Sequence, residues 1–88
     1  MQNRMLEEKT FSIQFGKDMK KARREQGMTQ NELAAQMQLL GVDVSESRVQ
    51  KLETGVLRIS LNEALAIAYL LFMDLNTRAA TYAKASKF

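Results

Sequence analysis

Apolar side chains recur along this chain at helical spacing. Phe11, Phe15, Met19 and Ala22 stand four, four and three apart; Leu33, Met37 and Leu40 form a second stripe, and Leu61, Leu65, Ala68 and Phe72 a third. Gly27, Gly41 and Gly55 each sit just past such a segment, where a left-handed residue ends a helix. Start signals follow. Thr29-Gln30-Asn31-Glu32 reads as a capping box: the Thr29 hydroxyl accepts the third backbone N–H while Glu32 reaches back. Met28 and Leu33 flank it as a hydrophobic staple, and Ser60-Leu61-Asn62-Glu63 repeats the box. Ser45 is a further N-cap with Val44 and Val49 as its staple, although Arg48 holds the box position, and Asp74 is a weaker start.

These signals predict helices near 12–26, 30–40, 46–54, 61–72 and 75–85. Residues 1–10 read as a flexible lead-in, and 11–88 as one domain. Helix 4 is apolar nearly all round from Ala64 to Met73 and is expected to be central. No segment sustains the two-residue alternation of a strand. The expected fold is all-α, a five-helix bundle.

Composition then removes whole classes of function. The 88 residues include no cysteine, no histidine and no proline. Thiolate and Ser-His-Asp nucleophiles and zinc–sulfur sites are thereby excluded. Asp43 and Glu46 are lone carboxylates without a pairing signal, so the chain reads as no enzyme, with no cofactor, no metal and no small-molecule ligand. The longest apolar run, Ala64 to Met73, is ten residues, against about 20 for a membrane span. Acidic residues stand where a signal peptide needs an apolar stretch. A cytoplasmic protein without a membrane partner is expected.

The charge is unevenly placed. Thirteen Lys and Arg face ten Asp and Glu, a net +3. Residues 17–25 carry Lys17, Lys20, Lys21, Arg23 and Arg24 against Asp18 and Glu25, a local +3. Residues 29–53 carry Glu32, Asp43, Glu46 and Glu53 against Arg48 and Lys51, a local −2, and the tail from Asp74 returns to +2. Basic ends around a mildly acidic middle fit a partner with spaced negative charges, such as nucleic acid, although a solvated helix surface would look the same.

The stretch RREQGMTQNELAAQM, followed by VSESRVQKLETG and RISLNEALAIAYLL, resembles the helix-turn-helix domain of the phage repressor and Cro family. The resemblance spans about residues 13–77 and implies a lambda repressor-like fold. It also implies a sequence-specific regulator of transcription that binds double-stranded DNA, of phage or mobile-element type. In such a pair the second helix, here 46–54, lies in the major groove. At about 100° per residue, Val49 and Leu52 point inward together, while Ser47, Gln50, Lys51 and Thr54 face away and Glu46 lies at the flank. Lysine can donate to guanine, glutamine can pair with adenine and glutamate can accept from cytosine. Glu46, Ser47, Gln50 and Lys51 are therefore the base-reading candidates. The resemblance implies phosphate contacts for Thr29, Gln30, Arg48, Thr54 and Arg58, and an ion pair between Arg23 and Glu53. Lys17, Lys20, Lys21 and Arg24 read equally as a source of long-range attraction or as solvated surface.

Two features depart from the family. Helix 2 and its turn run longer than the compact unit, through Gln38-Leu39-Leu40-Gly41-Val42-Asp43-Val44 before Ser45. Where the family often closes its fourth helix with glycine, Phe72-Met73 stands. Leu70, Leu71, Phe72, Met73, Leu75, Tyr82 and Phe88 are more late apolar side chains than one small core absorbs, and Phe72, Met73, Leu75 and Tyr82 are the expected homodimer interface, matched to a palindromic operator. The alternative on the same fold is a protein-binding module, such as an antitoxin whose tail covers a toxin.

Overall fold

The computed structural model describes residues 4–75, with side chains from Thr10 onward. Four helices follow one another: α1 (Arg4–Glu25), α2 (Gln30–Leu39), α3 (Glu46–Glu53) and α4 (Leu61–Leu70). No strand occurs among the described residues. The expected fifth helix, apart from Leu75 at its start, lies outside them, as does Tyr82. α1 begins earlier than its apolar stripe indicates. Met5, Leu6, Glu7, Glu8 and Lys9 are good helix formers that carry the helix back to Arg4 without contributing to the stripe.

Local chemistry sets the helix ends. Thr29 and Ser60 close full capping boxes, and the Ser45 hydroxyl accepts the Arg48 backbone N–H at 3.1 Å. α1, α2 and α3 end in one closure, in which a left-handed glycine follows the helix and the next N–H returns to the last turn. The bonds are Met28 N–H to Arg23 carbonyl, Val42 to Met37 and Val56 to Lys51, at 3.0–3.1 Å. α4 closes the same way, with the Met73 N–H on the Ala68 carbonyl at 2.9 Å, but the left-handed residue is Phe72, at φ 56°. The phenylalanine adopts the conformation that a glycine would take there.

α1 packs on α3, and α2 packs on both α3 and α4. Phe15, Met19, Leu33, Met37, Val49, Leu52 and Ile67 are fully buried at the centre. Two expectations about the core are corrected. Leu40 ends α2 as its C-cap and is exposed. On α4 the buried face is Ala64, Ile67, Ala68 and Leu71, whereas Leu61, Leu65 and Phe72 point outward. A helix apolar on all sides carries no mark of its inner face. Here the alanines face inward with Ile67 and Leu71, and Leu61, Leu65, Tyr69 and Phe72 are left outside.

Polar ties complete the frame. The Ser12 hydroxyl accepts the Ile59 N–H at 3.1 Å, and Gln26 Nε2 donates to the Leu71 carbonyl at 2.8 Å. The long α2–α3 connection is anchored by buried Val44, whose carbonyl accepts Gln38 Nε2 at 2.7 Å. No helix among the described residues is long and apolar enough to cross a membrane.

Candidate nucleic-acid interface

α3 divides cleanly by face. Val49, Leu52 and Glu53 are buried, and Glu46, Ser47, Gln50, Lys51 and Thr54 are exposed. The helix is fastened near each end by a guanidinium–carboxylate pair. At its C-terminal end, Arg23 Nε donates to Glu53 Oε2 at 2.6 Å and Nη2 to Oε1 at 3.0 Å, with both side chains almost fully buried. Arg23 Nη1 also donates to the Met28 carbonyl at 2.7 Å, and Gln30 Nε2 to Glu53 Oε1 at 2.9 Å. One carboxylate thus joins α1, α3 and the first residue of α2. Such a buried pair holds only because its remaining donors and acceptors are also used.

Toward the other end, Arg48 Nε donates to Glu63 Oε2, and Nη2 to Glu63 Oε1 at 2.9 Å. Nη2 also reaches the Arg58 carbonyl at 3.4 Å. Glu63 is the capping residue of α4 as well, accepting the Ser60 N–H at 2.9 Å. The Arg48 guanidinium, followed by the Ser60 N–H and hydroxyl, holds the Glu63 carboxyl below the usual carboxylate range despite its burial. The same hydrogen bond raises Arg48. At the start of α2, the Thr29 backbone N–H and then its hydroxyl lower the Glu32 carboxyl.

The residues expected to touch DNA fall into two groups, with Arg58 and Arg48 apart from both. Glu46, Ser47, Gln50 and Lys51 share the outward face of α3. Thr29, Gln30 and Thr54 lie around the junction of the α2 start with the α3 end, which the Gln30–Glu53 bond closes. The Thr29 hydroxyl caps α2, and the Thr54 hydroxyl donates to the Lys51 carbonyl at 3.0 Å. Arg58 is exposed in the link before α4. Arg48 stands apart, because its position on α3 lies toward α4 and its guanidinium turns to Glu63.

Of the residues expected at a dimer interface, Phe72 is 86% exposed and Leu75 is half-buried against the core. Met73 is corrected: it is buried in the core of its own chain, drawn in by the closure of α4 on Ala68. The sequence sets Leu61 and Leu65 in one stripe with Phe72 but turns that stripe toward the core, and it leaves Tyr69 out. Leu61, Leu65 and Tyr69 are 73%, 50% and 71% exposed and span about 80° of one face of α4, and Phe72 stands exposed just past the end of that helix. The available signal was a bulky stripe displaced from the alanines. Gly16 was missed too: a Cβ there would collide with the Leu52 carbonyl oxygen.

A family model described as helix-turn-helix matches residues 19–76, from the second half of α1 to just past α4. No curated protein and no solved structure matches the chain.

Proposed function

Because the chain belongs to the helix-turn-helix family of DNA-binding transcription regulators, we propose that it is a sequence-specific regulator of the phage-repressor and Cro type. In this reading α3 lies in the major groove. Glu46, Ser47, Gln50 and Lys51 read base edges there. Thr29, Gln30, Thr54 and Arg58 hold the phosphate backbone, which fixes register without carrying sequence information. Arg48 contributes by fixing α3 against α4 through Glu63. The observation that carries the reading is the division of α3 itself. Its inner face is clamped by Glu53 and Arg48, and its outer face presents four exposed side chains that can each hydrogen-bond a base edge.

We further propose that the protein acts as a homodimer on a palindromic operator. The exposed stripe of Leu61, Leu65, Tyr69 and Phe72 supports this, since contiguous apolar surface on a monomer marks an interaction site. A second copy suits it because α4 is tied to α3 through Arg48–Glu63. A two-fold contact on α4 then fixes the separation of two reading helices, which must be about 34 Å for successive major grooves.

Selection of bound duplexes from a random pool tests the proposal. An enriched palindrome is the expected result. A pool without enrichment would instead favour a protein-binding role on the same fold.

A further inference from the structure

The outer face of α1 carries a second concentration of charge beyond the site above. Lys17, Lys20, Lys21 and Arg24 fall within about 100° of arc, on the side of α1 away from Phe15 and Met19. Lys17, Lys21 and Arg24 are exposed, and Lys20 is partly so. Together with Thr54, they line an open concavity between α1 and the end of α3. Thr54 belongs to the outward face of α3, so the concavity continues that face past its last turn.

The charges around the concavity leave it positive. Glu53 borders it but is neutralised by Arg23, and Glu25 stands at its rim. Neither Arg23–Glu53 nor Arg48–Glu63 uses any of the four cations. A counter-charge for the C-terminus of α3 requires groups only within its last turn. The basic arc is longer: from Lys17 to Arg24 it runs about 10 Å along α1, the axial length of roughly three phosphates on one strand.

We propose that this arc is a second backbone grip, in which α1 contacts phosphates of duplex DNA flanking the groove that α3 enters. The inference rests on the DNA-binding reading above and extends it. It gives α1 a contact that is blind to sequence and sensitive to salt, adjoining one that reads bases.

The test uses the full chain with Lys17, Lys20, Lys21 and Arg24 all changed to Gln, beside a milder Lys17→Gln/Lys21→Gln variant at two exposed positions. Each is checked for an unchanged far-ultraviolet spectrum and melt, then titrated on selected and unrelated duplexes over a range of salt. The fourfold variant should lose about two to three from the slope of log affinity against log salt, and the double variant between one and two. Affinity should fall alike on both duplexes, base preference should stay unchanged, and backbone protection should shrink at the edge of the footprint. A wild type that binds DNA, with variants of unchanged slope and footprint, would overturn the grip while leaving the role of α3 intact. Lowered melts with unchanged slopes would also overturn it, leaving the arc a counter-charge for α3. A wild type without salt-dependent DNA binding would overturn the inference together with the reading beneath it.

Discussion

Gly16 lies directly against the carbonyl oxygen of Leu52, where a Cβ would collide, and the Glu53 carbonyl oxygen would be 3.1 Å away. Glycine inside a helix costs about 1 kcal/mol relative to alanine, so propensity alone makes Gly16→Ala stabilising. The obstruction is backbone, which no rotamer change relieves. We expect overpacking to cost about 1–3 kcal/mol and the substitution to lower Tm by several degrees. A thermal melt decides between the two effects, and a higher Tm would show that α1 and α3 separate without penalty.

Glu53→Ala strands the Arg23 guanidinium in the interior and releases Gln30. Removing one member of a buried pair costs about 3–5 kcal/mol, a large share of the stability of so small a domain. Denaturation without DNA should show the loss. A midpoint within error of wild type would mean that the pair contributes nothing net.

Acid should act on the other clamp. Glu63 has its pKa lowered by the fold, so the folded state binds fewer protons than the unfolded chain as pH falls. Its contribution is complete above the ordinary carboxylate value, about 4.3, and is lost as pH drops through the lowered value. Glu32 adds a limb of the same sign. Urea midpoints should hold steady from about pH 7 to 5 and decline below about 4. Glu63→Gln should start lower at neutral pH and decline less steeply. Parallel curves for the two proteins would remove Glu63 from the acid response.

Phe72 separates stability from association. A left-handed conformation costs a non-glycine residue about 1–2 kcal/mol, and this side chain is exposed. Phe72→Gly should therefore raise the Tm of the monomer while weakening self-association in sedimentation. Unaltered association would remove Phe72 from the proposed dimer contact.

Lys51 and Arg58 separate reading from holding. Lys51→Ala should cost about 1–3 kcal/mol on the preferred site and relax one base position. Arg58→Ala should weaken every duplex alike and reduce the salt slope by about one. Identical profiles for the two variants would contradict the division of labour between α3 and the link that follows it.

The starts of α2, α3 and α4 were legible because each depends on residues within one turn. Thr29 and Glu32 meet whatever the rest of the chain does. The turns after Gly27, Gly41 and Gly55 are local in the same way. The inner face of α4 was illegible because apolarity on all sides leaves no moment to orient it, and the interior took alanines over Leu61 and Leu65. Gly16 and the Arg48–Glu63 pair were illegible for another reason. Their partners come from other helices, and only the assembled fold brings them within reach.

The faces of α3 have a consequence for descent and redesign. Positions 46, 47, 50 and 51 lie outside the core, and the residues that fix the helix are at 48, 49, 52 and 53. Substitutions at the first set meet little resistance from folding, so they can accumulate as near-neutral drift until one confers a new preference. In the second set, Arg48 and Glu53 can change only in concert with Glu63 or with Arg23 and Gln30, and Val49 and Leu52 only with the core around them. Diverging copies of this domain should therefore vary most in a four-position alphabet on one helix, above a lock that stays the same.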